Sequence, residues 1–194
     1  MPRPMNQPVF HENWYSGEQL ALLIEAYELA PEVEATLLEI GCWEGRSTVA
    51  IAKACQPDTL FAIDTWLGNQ DEHPQHVSVQ LARQRDVFAT FLQNVQNLTD
   101  GNVIPVRQDC HVFLRGLARP VKFCHVDASH DYASVKRTIE ALFPKLIHGA
   151  VLCGDDFVNA GASRDDLQGG VERAVREYLP GFVAKGNFWV WQKT

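Results

Sequence analysis

Apolar positions fall into two rhythms along this chain. In GEQLALLIEAYELA, Leu20, Leu23, Ile24 and Tyr27 recur at the spacing of one helical face, and Pro31 breaks the run. ATLLEIG is a short apolar run that predicts a buried strand ending at Gly41. RSTVAIAKAC then predicts a helix with Ser47 and Thr48 in its first turn. TLFAID predicts a second strand ending at Asp64, and the polar TWLGNQDEHPQHVS predicts a loop. VQLARQRDVFATFLQNVQNL predicts one long amphipathic helix. NVIPVRQD and VKFCHVD predict the third and fourth strands, ASVKRTIEALFPKLI a helix with a proline near its end, and GAVLCGDD the fifth strand. FVNAGASRDDLQGG predicts a loop and VERAVREYL a helix. FVAKGNFWVWQK predicts two strands around the hairpin signal Gly186-Asn187.

Strands alternating with helices predict an α/β fold with a mostly parallel, seven-stranded sheet, to which the C-terminal hairpin adds an antiparallel edge. The pattern predicts a single domain, with residues 1–36 as a helical, substrate-side extension. In such sheets ligands bind beyond the carboxyl ends of the strands, near the switch in strand order. The predicted strands end there on Gly41, Asp64, Asp109, Asp127 and the pair Asp155-Asp156.

Composition narrows the partners. At 46% hydrophobic and 21% charged the chain can bury an ordinary core, and its net charge of -7 argues against a nucleic-acid partner. No apolar run is long enough for a membrane span, and MPRPMNQPVFHENW lacks a signal-peptide core, so the expected setting is cytoplasmic with no membrane partner. Five scattered cysteines (42, 55, 110, 124 and 153) without a CxxC pair fit a reduced compartment and no zinc site.

The loop EIGCWEGRS carries the first chemical clue. A dinucleotide loop needs a glycine where Trp43 stands, so that pyrophosphate can approach; here an indole obstructs it and Glu44 repels it. No Gly-Lys-Ser/Thr follows, which excludes a P-loop. Asp64 lies 25 residues after Glu39, near the separation at which an acid meets a ribose in nucleotide folds. The site therefore reads as a nucleoside pocket without phosphates, which S-adenosylmethionine fits, with the helix start at Ser47 meeting its carboxylate. Rival readings are a non-catalytic nucleoside-binding module and a nicotinamide-dependent oxidoreductase, the latter disfavoured by Trp43 and Glu44.

On these residues the chain resembles the class I S-adenosylmethionine-dependent methyltransferases, of the catechol, caffeoyl-coenzyme A and macrocin-type O-methyltransferase kinds. The resemblance implies a Rossmann-like sandwich. It implies that Glu39, Gly41, Trp43, Gly45 and Ser47 line the methionine end of the cofactor, that Asp64 takes the ribose hydroxyls, that Trp66 packs against the nucleoside, and that Asp109 lies near the adenine.

Asp127 and the pair Asp155-Asp156 end the fourth and fifth strands. If those strands are neighbours they lie about 4.8 Å apart; carboxylates gathered there repel unless a cation joins them, and oxygen donors suit Mg²⁺ or Ca²⁺. The resemblance likewise implies metal ligands at Asp127, Asp155 and Asp156. His130 stands where such enzymes often carry a basic lysine; it reads as the base alongside Asp127, or alternatively as a metal-shell residue, a substrate contact or a solvated loop residue. His125, inside a strand, reads as a core histidine; His73, His76 and His111 face solvent or substrate. The acceptor is expected to be a small hydroxylated molecule, such as a vicinal diol of a sugar or aromatic ring. Selectivity is expected in WLGNQDEHPQH and NAGASRDDLQGG, and HENWYS, with Trp14 and Tyr15, is expected to close the pocket or form a homodimer contact.

Overall fold

The computed structural model describes residues 7–69, 75–158 and 169–194. An N-terminal segment leads into α1 (Gly17–Glu28), which Ser16 and Gln19 start with a reciprocal capping box. The strands are β1 (Thr36–Ile40), β2 (Leu60–Asp64), β3 (Val103–Arg107), β4 (Val121–Val126), β5 (Leu146–Gly154), β6 (Val183–Lys185) and β7 (Phe188–Gln192). Between them run α2 (Arg46–Ala54), α3 (Val77–Gln84), α4 (Val87–Leu98), α5 (Cys110–Gly116), α6 (Tyr132–Leu142) and α7 (Gly170–Tyr178). The sheet order is β3-β2-β1-β4-β5-β7-β6, parallel from β3 to β5 and antiparallel at β7 and β6. The order reverses between β1 and β4, which places the ligand crevice at their carboxyl ends.

Side-chain alternation along each strand divides the core in two. Leu38, Ile40, Cys124, Val126 and Leu152 pack with Leu114, Ile139 and Val175 from α5, α6 and α7. Leu37, Phe123, Val151 and Cys153 pack with Leu23, Ile51 and Phe91 from α1, α2 and α4 on the other face. Glu39 and His125 share that second face by their alternation with these residues. No helix among the described residues is long and apolar enough to cross a membrane.

Three local readings change. The long helix expected over Val79–Leu98 is two, because Arg85 is extended and Asp86 caps α4, its Oδ1 accepting the Ala89 N–H at 3.0 Å. The segment after Asp109 forms α5, capped by Asp109 through the Val112 N–H at 2.9 Å. Pro144 lies in a 3-10 turn over Phe143–Lys145, so β5 begins at Leu146 rather than Gly149. Residues 70–74 and 159–168, which include His73 and much of both expected selectivity loops, lie outside the described residues.

Close packing at the end of β5 yields a stability test. A Cβ on Gly154 would stand 2.3 Å from the Val126 carbonyl oxygen and 2.7 Å from the Trp189 ring, whereas one on Gly116 meets nothing within 4 Å. In urea unfolding, Gly154→Ala should cost about 1–3 kcal/mol. Gly116→Ala should be neutral or stabilise by about 0.4–1 kcal/mol. Equal shifts in the two variants would contradict this packing.

Candidate active site

The chain turns out of β1 at Gly41, with φ +87°. A Cβ there would lie 1.9 Å from the Asp127 carbonyl oxygen, so only glycine fits. Asp64, at the end of β2, clamps the loop that follows. Its Oδ2 accepts the backbone N–H of Cys42 at 2.8 Å and of Trp43 at 2.9 Å, and its Oδ1 accepts that of Trp66 at 2.7 Å. Burial pushes the Asp64 carboxyl above its ordinary range, against the pull of these three amides. A carboxylate has about four acceptor positions, so one remains for a ligand hydroxyl. Trp43 and Trp66 both hold positive φ, 45° and 55°, and the Trp66 indole donates to the Trp43 carbonyl at 2.7 Å. Trp66 is 2% exposed and packs on Phe88 and Phe91. It packs as a core aromatic beneath the loop and does not line the cavity.

Glu44 is turned towards the N-terminal segment. Its Oε2 accepts the His11 N–H at 2.7 Å, and its Oε1 meets the His11 imidazole at 2.7 Å and Arg85 at 3.0 Å. Glu12 accepts the Trp43 indole N–H at 3.0 Å and pairs with the same Arg85. Trp14 packs on Trp43 with ring centroids 5.1 Å apart. Glu12, Trp14 and Tyr15 of HENWYS line the cavity, and Arg85 is a partner that sequence spacing could not have revealed.

Glu39 also lies behind the cavity wall. It is fully buried, accepts the Thr48 hydroxyl, and meets His125 Nδ1 at 3.2 Å. The opposite nitrogen, Nε2, stands 2.8 Å from the Tyr15 hydroxyl. A tautomer protonated at Nδ1 donates to Glu39 and accepts from Tyr15, which does line the cavity. Burial disfavours the charged imidazole, but the Glu39 carboxylate outweighs it and lifts the His125 pKa. Burial, with Asp127 and Asp155 nearby, holds the Tyr15 phenol well above its usual value. Glu39 itself does not line the cavity; it stands behind the wall and meets His125.

The acids at the ends of β4 and β5 divide into two sets. Donor atoms of Asp127, His130 and Asp156 all lie within 4.8 Å of one another, and His130 Nε2 is 2.8 Å from Asp156 Oδ2. Asp156 holds φ +57°. Burial penalises its charge, but the His130 contact outweighs this and lowers its pKa. Asp127 is pushed to about 7, by burial first and then by the neighbouring Asp156 charge. Asp155 turns towards α1: its Oδ2 accepts from Gln19 Nε2 at 2.6 Å, while its buried Oδ1 has no hydrogen-bond partner. Burial and Asp156 raise the Asp155 pKa. Of the expected trio, Asp127 and Asp156 group most closely with His130, while Asp155 lines the same cavity. The donor set of Asp127, His130 and Asp156 fits a divalent cation.

These groups border one cavity of about 670 Å³, within the roughly 300–1,000 Å³ typical of small-molecule sites. Gly41, Trp43, Ser47, Asp64 and Asp109 line one part; Asp127, His130, Asp155 and Asp156 line another, with Tyr15 and Gln19 from the N-terminal side. Gly45 caps α2 and does not line the cavity; its nearest neighbour is the Phe91 ring. His76 lines the cavity, and His111 does so while bonding Thr138 Oγ1 at 3.0 Å.

A family model described as a methyltransferase domain matches residues 38–157, more than half of the chain. A comparison with curated proteins finds no match. Among solved structures, the O-methyltransferase NovP superposes with a TM-score of 0.66 at 19% identity, covering 91% of this chain and 78% of NovP. Cofactor-bound Rv0187 from MTB gives 0.65 at 20% identity, covering 94% of this chain and 82% of that one. CalS11, a TDP-rhamnose 3'-O-methyltransferase of calicheamicin biosynthesis, gives 0.59 at 16%, covering 91% and 81%. With its reversal of strand order, its glycine loop after β1 and the domain match across both, the chain belongs to the methyltransferase-domain family and has the class I S-adenosylmethionine-dependent methyltransferase fold.

Proposed function

We propose that the protein is an S-adenosylmethionine-dependent O-methyltransferase that acts, with a divalent metal ion, on a small hydroxylated acceptor. The observation that carries this reading is the group of Asp127, His130 and Asp156, with Asp155 lining the same cavity, beside the Asp64-clamped loop. Gly41, Trp43, Ser47, Asp64 and Asp109 hold the cofactor, whose sulfonium supplies the methyl group. A divalent ion held by the cluster would lower the pKa of the acceptor hydroxyl. The chain's own task is to align that hydroxyl with the methyl group and accept its proton. The proton acceptor among the chain's own groups is Asp127, whose carboxyl burial and the neighbouring Asp156 charge lift to about 7 in the metal-free protein. His130 is less suited to that role, because its Nε2 is engaged with Asp156. NovP and CalS11, both named as O-methyltransferases, support oxygen as the acceptor atom.

S-adenosylhomocysteine should bind in the micromolar range, about −8 kcal/mol, by titration calorimetry. Asp64→Ala should weaken it by roughly 1.5–3 kcal/mol, since both a ligand acceptor and the loop clamp are lost. Absence of any heat up to millimolar ligand would refute the cofactor assignment. Methyl transfer should fall on chelation and return with added metal, and Asp155→Asn should reduce turnover far more than S-adenosylhomocysteine affinity. Full turnover in excess chelator would remove the metal from the mechanism.

A pH series in chelator gives a third check. The Asp127 carboxyl rises from 3.8 to about 7 on folding, so its protonated form is the one the fold favours. Its contribution to stability is present below pH 4 and is lost as pH rises towards 7. Asp127→Asn should abolish that decline in denaturant unfolding, and a saturating divalent ion should oppose it. Parallel profiles for native protein and variant in chelator would contradict the assignment.

A further inference from the structure

The cavity holds many more acidic than basic side chains. Glu12, Glu44, Asp64 and Asp109 line it with the three strand-end carboxylates, and Arg46 is the one lysine or arginine among the described residues that does so. Arg46 is already committed. Its Nη1 donates to the Asn13 side-chain oxygen and, at 2.8 Å, to the Tyr15 carbonyl, and its guanidinium lies 5.2 Å from the Phe10 ring centroid. Glu12 and Glu44 share Arg85, which does not line the cavity. The lining imidazoles are engaged as well: His76 with the Ser78 hydroxyl at 2.8 Å, His111 with Thr138 Oγ1 at 3.0 Å, and His130 with Asp156 at 2.8 Å. Loop amides that could cradle an anion, those of Cys42 and Trp43, donate to Asp64 instead. A bound divalent ion and a cofactor with one net positive charge would offset part of the acidity. The seven lining carboxylates would still outnumber those charges, with Arg46 and Arg85 counted in. Sequence outside the described residues does not reverse the balance, since residues 70–74 and 159–168 hold Asp71, Glu72, Asp165 and Asp166 against Arg164 and His73.

A cleft lined by one sign of charge focuses its field into the space between its walls. Phosphates and carboxylates are ordinarily held by arginine forks, lysines or runs of backbone N–H groups, and here those groups are few and engaged. An ammonium gains from the same field, and the rim supplies rings for it. Trp14 is 46% exposed and lines the cavity, and neighbouring rings already carry cations, with Arg46 over Phe10 and Arg85 5.8 Å from the Trp43 ring centroid. We infer that the cavity selects its acceptor by charge: it prefers hydroxylated molecules that bear an amine, takes uncharged ones less well, and excludes those that bear phosphate or carboxylate groups, nucleotide sugars and coenzyme A esters among them. The inference rests on the reading that this cavity holds S-adenosylmethionine and an acceptor hydroxyl, and it narrows the class of that acceptor.

Three probes share one diol and differ in charge: the 4-aminomethyl, 4-methyl and 4-carboxyl derivatives of catechol. Their binding to the full chain is measured by ligand-observed magnetic resonance with S-adenosylhomocysteine and Mg²⁺ present, at about pH 8, where ordinary imidazoles are neutral and the amine is charged. Affinity should fall in the order amine, methyl, carboxylate, with at least about tenfold between first and last. Raising salt from about 0.02 M to about 0.5 M should shrink that ratio, because the screening length shortens. Val77 opens α3, is 54% exposed and lines the cavity, so a cation can be placed there without burying it. Val77→Lys should narrow the ratio several-fold. Val77→Gln loses the same apolar side chain without adding charge and should keep it. A carboxylate bound as tightly as the amine, a ratio indifferent to salt, or equal effects of the two variants would overturn the inference. So would failure of the amine to bind at millimolar concentration. S-adenosylhomocysteine calorimetry on the same samples separates the two readings. Cofactor heat with a reversed or absent charge order removes the charge selection and leaves the methyltransferase standing, whereas ordered probe binding without cofactor heat removes the cofactor reading alone.

Discussion

The contact between the ends of β1 and β4 governs the geometry of this protein. The Asp127 N–H bonds the Ile40 carbonyl at 2.8 Å, the Gly41 N–H bonds the Ile63 carbonyl at 2.9 Å, and the Gly41 α-carbon rests against the Asp127 carbonyl. Three strand ends are thereby drawn together where the strand order reverses. The glycine loop opens on one side of that contact and the carboxylate cluster on the other. The loop and the carboxylate cluster share one cavity because the backbones touch there, and a single methyl group on residue 41 would push them apart.

Acids that look misplaced beside a nucleotide-like loop find partners in the fold. Glu44 and Glu12 converge on Arg85, and with His11 and the Trp43 indole they fasten the N-terminal segment across the loop. Asp64 gathers three amides, which organises the loop at the same time as it presents an oxygen to the cavity. The strained positive-φ residues Trp43, Trp66 and Asp156 all stand just beyond strand ends. Each such conformation costs about 1–3 kcal/mol, and surrounding structure must over-determine it. The indole-to-carbonyl bond between Trp66 and Trp43 and the His130–Asp156 pair supply part of that restraint.

Behind the wall, Thr48, Glu39, His125 and Tyr15 form a continuous polar line from α2 through two central strands to the N-terminal segment. A fully buried carboxylate is tolerable because it has the Thr48 hydroxyl and the imidazole as partners. The same line fixes the Tyr15 ring at the cavity edge, so the N-terminal segment is registered against the sheet from within as well as across the loop.

Local pattern was enough for the alternation of strands and helices, the turn at Gly41, the hairpin at Gly186-Asn187 and the row of acids at strand ends, because period and punctuation are properties of neighbouring residues. It was not enough to split the helix at Arg85-Asp86, where a capping carboxylate and distant acids outweigh continuous amphipathicity. Nor could it tell that Glu39 and Trp66 face inward, that Asp155 turns to Gln19, or that His130 joins Asp127 and Asp156. Those outcomes depend on which strands become neighbours and which face each side chain takes. Sequence determined the kinds of groups at the strand ends; tertiary contacts between residues far apart in the chain decided which of them meet.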